Sequence, residues 1–191
     1  AYMKHLHADK IAAMGEMIKN IYIESGVAPE KIAVTGVAHF DRLFNRDKRQ
    51  DDAVLQEHGI EPSKRTIVFG TDNLAIGETV EALTGVIKTV LKMEDFQLVV
   101  KVHPAEGIEP YQAVAEQYHD SRIRVVKDID LYALLSQCEL IIVNGSTIAL
   151  EAMMIGKLVV TINLSGQPTP VPYAEEGAAL GVYSYADIEP A

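Results

Sequence analysis

Leu140-Ile141-Ile142-Val143-Asn144-Gly145-Ser146-Thr147-Ile148-Ala149-Leu150-Glu151 runs directly into Ala152-Met153-Met154-Ile155-Gly156-Lys157-Leu158-Val159-Val160. Its first four residues have the length and unbroken apolarity of a strand buried on both faces, and Leu158 to Val160 open a second such strand. Between them a glycine turn leads into a one-sided helix that begins with small hydroxyl residues and carries one acid, Glu151. Strand, helix, strand is a βαβ unit. The first amides of its helix lack intrahelical acceptors and sit at the positive end of the dipole, so an anion is stabilised there without a basic side chain.

The same alternation extends outward over the chain. Apolar runs of strand length occupy Lys10 to Met14, Lys31 to Thr35, Thr66 to Phe69, Gln97 to Val102, Arg122 to Val126, Leu140 to Val143, Leu158 to Ile162 and Gly181 to Tyr183. Helical periodicity covers Met17 to Glu24, Asp51 to Glu57, Glu78 to Lys92, Pro110 to Gln117, Leu131 to Gln137 and Thr147 to Ile155. This predicts an α/β fold with a parallel sheet covered on both faces. In the fifth helix Leu131, Leu134, Leu135 and Cys138 form one stripe toward the sheet, which makes Cys138 a core residue. Asp128 or Asp130 is expected to cap that helix, with no other role for Asp128.

The 191 residues, 48% of them hydrophobic, suffice for one ordinary domain with a sizeable core. A net charge of -10 argues against nucleic acid or an acidic membrane as the main partner. The single cysteine excludes an intrachain disulfide framework and a cysteine-rich zinc site, and with no bilayer-spanning run or signal-peptide core a reducing cytoplasm is expected. Both ends read as cut, so a piece of something longer is expected. Asn45 to Gln50 reads as a mixed-charge break, a solvated loop or a helix start, and the proline-rich stretch Ser165 to Pro172 as a long loop bordering a site.

Candidate chemistry gathers at the carboxyl ends of the strands, where open α/β sheets bind ligands. Gly145, Ser146 and Thr147 form the anion mouth, and Glu151, sharing a helix face with Thr147, stands one turn away, in reach of two ribose hydroxyls. The alternative is that Ser146 or Thr147 is only an N-cap and Glu151 a solvated helix residue. His103, at the exit of the strand Gln97 to Val102 and stiffened by Pro104, can donate to phosphate or transfer a proton; a histidine so placed also serves structure alone. Gly70 and Thr71 supply further backbone and hydroxyl donors, and Asp72 is expected to cap the next helix. Asp41 is expected to cap a short helix through Arg42, Leu43 and Phe44, while His5, His7, His58 and His119 read as surface residues. No metal-ligand spacing is present, and neither G-x-x-x-x-G-K-S/T nor G-x-G-x-x-G occurs.

These residues in this order resemble the C-terminal lobe of GT-B fold enzymes. The likeness is strongest to the group containing UDP-N-acetylglucosamine 2-epimerase, with CDP-glycerol glycerophosphotransferases and capsule-polysaccharide glycosyltransferases as more distant relatives. It runs from Ala8-Asp9-Lys10-Ile11 through Lys31-Ile32-Ala33-Val34-Thr35-Gly36 to Val160. The resemblance implies a Rossmann-like single lobe over 17–191, with 1–16 as the end of an N-terminal lobe or linker. It also implies a diphosphate at Gly145, Ser146 and Thr147, ribose at Glu151, and His103 beside phosphate or sugar. The epimerases carry a Ser-Gly-Gly turn with paired glutamates; here the turn is Gly145-Ser146-Thr147 and Leu150 replaces the first Glu. That sets a surface-polysaccharide glycosyltransferase ahead of an epimerase, with a non-catalytic flavodoxin-like module third. The implied substrate is a nucleotide sugar, with no further cofactor and no metal. Because GT-B chemistry needs both lobes, the chain is expected to bind donor weakly and turn over nothing without its N-terminal lobe.

Overall fold

The computed structural model describes residues 8–72, 76–167 and 171–188. The chain divides into two compact units, Ala1–Asn45 and Arg46–Ala191. In the first, β1 (Ile11–Ala13) and β2 (Ile32–Val34) pair in parallel as a two-stranded sheet, joined through α1 (Glu16–Glu24). A 3-10 run then covers Ala38–Leu43 with Val37 at its cap, so Asp41 lies inside the turn instead of capping it. The short helix starts earlier than its sequence suggests because Ala38, His39 and Phe40 already follow the tighter winding, with the His39 and Phe40 rings edge to face at 4.6 Å.

The second unit opens with α2 (Lys48–Glu57) and continues through β3 (Arg65–Gly70), α3 (Ile76–Leu91), β4 (Phe96–Lys101), α4 (Glu109–Glu116) and β5 (Ile123–Val126). Then come α5 (Leu131–Gln137), β6 (Cys138–Val143), α6 (Ile148–Met154), β7 (Leu158–Ile162), β8 (Leu180–Val182) and α7 (Tyr185–Ile188). Six strands form one parallel sheet in the order β5-β4-β3-β6-β7-β8. Strand order therefore reverses between β3 and β6, the place where a doubly wound sheet opens a crevice beyond its carboxyl edge.

Alternation along each strand builds two cores. Ile67, Phe69, Leu98, Val100, Val102 and Ile142 face Leu83, Val86 and Ile87 of α3, Tyr111 of α4 and Ile188 of α7. The intervening Val68, Val99, Ile141 and Val143 meet Leu55 of α2, Leu134 and Leu135 of α5, and Ala149 and Ala152 of α6. Period-two alternation sends neighbouring side chains to opposite layers, which is why these strands read as unbroken apolar runs. Cys138 is 1% exposed within the second layer, and burial pushes its thiol up to about 11.

Of the two readings of Asn45 to Gln50, the helix start holds, since α2 begins at Lys48; Arg46, just before it, is not solvated but tied to the helix. The Arg46 guanidinium pairs with the buried Asp51 carboxylate and reaches Asp130 at 3.1 Å, while the Ser136 hydroxyl donates to Asp51 at 2.8 Å. Asp47 caps α2 through the Arg49 amide. His58 lies half-buried at the surface with its ring engaged: its nitrogens lie 2.9 Å from Val54 O and 3.0 Å from Asp128 O, bridging α2 to the β5–α5 loop. His119 is exposed as expected; His5 and His7 lie outside the described residues.

Candidate functional site

A cavity of about 540 Å³ lies at the carboxyl ends of β3, β4 and β5 and the start of α6. Gly70, Thr71, His103, Ser146, Thr147 and Glu151 all line it, joined by Lys101, Lys127 and Asp128. Gly145 sits half-buried just behind, in the turn that delivers Ser146. The walls come from segments that are distant in sequence and meet only because β3 pairs with both β4 and β6.

Around α6 the chain follows the strand, turn and helix expected from its sequence. The Ser146 carbonyl accepts from the Ala149 amide at 3.2 Å and the Thr147 carbonyl from Leu150 at 3.0 Å, so the turn of residues 145–147 leads straight into the helix. The Ser146 hydroxyl stands 3.5 Å from the Ile148 amide, a distant contact for a cap, and Thr147 makes no side-chain cap. Ile148, Ala149 and Ala152 pack inward, while Glu151 turns to the cavity, 9% exposed, accepting from the Tyr132 hydroxyl at 3.2 Å. The loop after β7 borders this corner: the Tyr173 hydroxyl lies 3.5 Å from the Ser146 carbonyl. Residues 168–170 of that loop lie outside the described set.

At β3 the geometry assigns parts other than ligand donors. A Cβ at Gly70 would stand 3.3 Å from Val143 and 3.5 Å from Ile148, so the missing side chain makes room for β6 and α6. Thr71 is 3% exposed with both donors engaged: its amide bonds Lys101 O at 3.1 Å, and its hydroxyl donates to Glu106. It touches the site by accepting the His103 amide at 2.8 Å. The cap expected of Asp72 falls on a segment, 73–75, outside the described residues; α3 begins at Ile76, and Asp72 is 6% exposed in a small recess with Glu78 and Thr79.

His103 is held by its own turn. The Ala105 amide donates to Nδ1 at 3.1 Å and the Glu106 amide to the His103 carbonyl at 3.0 Å, with Pro104 at the corner. A backbone N–H only donates, so the neutral ring keeps its proton on Nε2.

Three cavity residues carried no recognised signal in the sequence. Lys101 is 9% exposed with its amine on Val102 O at 2.8 Å; burial pulls its ammonium below the ordinary range, opposed by nearby Asp128 and reinforced by Lys127. Lys127 donates to Glu106 O at 2.6 Å. Among the described residues neither amine forms a salt bridge with a carboxylate, and both share the cavity wall with Asp128 and Glu151. Asp128 also lines the wall; the cap of α5 belongs to Asp130, which accepts from Tyr132 and Ala133 at 2.9 and 3.2 Å. Among the described residues no group of His, Cys, Asp and Glu is arranged to hold a metal, and no helix is long and apolar enough to cross a membrane.

The family model for UDP-N-acetylglucosamine 2-epimerase matches residues 3–168. The chain belongs to the UDP-N-acetylglucosamine 2-epimerase family. No curated protein matches it closely enough to serve as a relative. Among solved structures, the UDP-GlcNAc 2-epimerase from Neisseria meningitidis, bound to UDP-GlcNAc, aligns with a TM-score of 0.73 at 19% identity, covering 95% of this chain and 51% of that one. S. aureus MnaA with UDP gives 0.70 at 19% identity, covering 95% and 49%. The wall teichoic acid polymerase TagF gives 0.59 at 15% identity, covering 80% and 39%. At such identities the likeness establishes shared architecture: this epimerase-family chain has the fold of a GT-B C-terminal lobe, Rossmann-like and α/β. It spans about half the length of the epimerases it resembles.

Proposed function

We propose that the chain is the nucleotide-sugar-binding lobe of an enzyme that acts at a sugar–diphosphate linkage. The observation carrying this reading is the convergence of Ser146, Thr147, Glu151, His103, Lys101 and Lys127 on one cavity at the reversal of strand order. The diphosphate lies against the turn of residues 145–147 with the two amines supplying long-range charge. The Glu151 carboxylate accepts from ribose hydroxyls, and His103 Nε2–H faces the phosphate or sugar. Charge developing on the leaving phosphate is stabilised by dipoles and donors already fixed in place. Relatives of this fold whose structures hold UDP-GlcNAc or UDP support the ligand class.

Two chemistries share this donor site. Transfer of the sugar, or of a related group, to a surface polymer is supported by Leu150 where epimerases pair glutamates and by the TagF fold likeness. Epimerisation at the sugar is supported by the family itself. No metal or further cofactor enters either scheme, and the enzyme works in the cytoplasm with a second lobe.

Titration with UDP and CDP, followed by amide chemical shifts, tests the donor site. A cluster of changes at Ser146, Thr147 and His103 is expected. A flat response at saturating nucleotide favours a non-catalytic module. In the full-length enzyme, loss of deuterium from the sugar C2 position marks epimerisation, and nucleotide release that requires an acceptor marks transfer.

A further inference from the structure

Glu106 is 9% exposed, and its carboxylate meets no Lys or Arg side chain among the described ion pairs. A carboxylate buried without a basic partner is retained only where its hydrogen bonds are satisfied, so those bonds define its part. One oxygen accepts the Thr71 hydroxyl and the other the Tyr111 hydroxyl at 2.5 Å. Burial, then this bond, pushes the Tyr111 phenol up, which keeps it a donor. The backbone of Glu106 is engaged as well: its amide closes the turn on His103 O at 3.0 Å, and its carbonyl accepts Lys127 Nζ at 2.6 Å.

We propose that Glu106 is a positioning residue for His103, holding the turn of residues 103–106 through Thr71 so that Nδ1 stays an acceptor and Nε2–H is presented to the cavity. The directions of the bonds follow from donor chemistry. The His103 amide can only donate, so the Thr71 oxygen accepts at 2.8 Å and must place its own hydrogen elsewhere; Glu106 is where it goes. Tyr111, from α4, fixes the second carboxylate oxygen and with it the plane of the group. The turn is thereby tied to the end of β3, to α4 and to the residue after β5. The inference rests on the nucleotide reading only for the use made of Nε2–H.

The test reads the His103 imidazole directly, by long-range proton–nitrogen spectra of the ligand-free chain with the ring driven neutral at alkaline pH. The unsubstituted chain is expected to hold the Nε2–H tautomer. In Glu106→Gln an NH2 group replaces one of the two acceptor oxygens shared between Thr71 and Tyr111, and in Thr71→Val the oxygen is gone; each is expected to raise the share of the Nδ1–H tautomer, Thr71→Val by about fivefold. Thr71→Ser keeps the hydroxyl and is expected to retain the original spectrum. A purely structural Glu106 would lower the melting temperature and leave the imidazole signals unmoved, which overturns the proposal, as does an Nδ1–H tautomer in the unsubstituted chain. Should Glu106→Gln fail to fold, the Thr71→Val and Thr71→Ser pair decides alone. UDP titration of the same samples separates the two claims. A tautomer change without nucleotide shifts keeps the positioning role and removes the nucleotide reading, and shifts with an unmoved tautomer do the reverse.

Discussion

Glu151 and Cys138 show how burial assigns opposite parts to two side chains, one that the sequence leaves ambiguous and one that its helical stripe already places in the core. Glu151 is 9% exposed, accepts the Tyr132 hydroxyl at 3.2 Å and lines the cavity, so its carboxylate borders the space a ligand would fill. Glu151→Gln is expected to weaken UDP binding about tenfold, the loss of charge-assisted acceptance from ribose. Titration calorimetry checks it, and an unchanged affinity removes Glu151 from nucleoside recognition. Cys138 lies at the floor of the second core layer, where burial pushes the thiol up to about 11. The unfolded chain ionises first, near the free-thiol value of about 8.5. The stability this contributes is therefore whole below the unfolded value and is lost as pH rises through the folded one. Between pH 9.0 and about 11, stability measured by urea denaturation is expected to fall more steeply in the unsubstituted chain than in Cys138→Ala. Equal slopes would count against a buried, protonated thiol.

At the scale of elements, helices are fastened to the sheet by groups that look solvated in one dimension. Arg46, Asp51 and Ser136 lie far apart in the chain, and pairing them clamps α2 against α5 on one face of the sheet. Asp51 is 1% exposed, so Arg46→Ala strands a buried carboxylate with only a hydroxyl and a neighbouring acid for company. A loss of about 3 kcal/mol is expected, read as a shift in the urea midpoint. A midpoint that stays put would make the pair a surface contact of no consequence. The turn at residues 103–106 belongs to the same scale: three elements meet at Glu106, and His103 is a group whose direction is set by its neighbours.

For the whole molecule, the order β5-β4-β3-β6-β7-β8 is what makes a site. Loops leaving β3 and β6 depart in opposite directions, and the space between them collects residues from four strand ends. A ligand that binds only this arrangement stabilises the second unit by mass action. UDP at a hundredfold excess over its dissociation constant is expected to raise stability by about 2.7 kcal/mol and the melting temperature by roughly 5 to 10 °C. Thermal unfolding with UDP, and with inorganic phosphate for comparison, checks it. No rise with UDP, or an equal rise with phosphate, would leave the nucleoside without a part in binding.

What the sequence determined by itself was whatever local periodicity and backbone chemistry dictate. The run Leu140 to Val143 could only be a strand covered on both faces, the glycine turn and hydroxyls after it could only open a helix, and the repeated pattern could only build a parallel α/β sheet. The positions of His103, Ser146, Thr147 and Glu151 at strand ends and on a helix face follow from the same rules, and they do meet at one cavity. Tertiary structure alone decided which donors remained available there. Thr71 reads as a ligand group, but its hydroxyl is taken by Glu106, 35 residues away. Asp128 and His58 read as a spare cap and a surface histidine until the end of α2 and the loop after β5 are brought together. Lys101 and Lys127 acquire meaning only once β4 and β5 end beside each other. Hydrogen bonds and electrostatic potential depend on distance through space, and a strand's period carries no record of which strand will lie next to it.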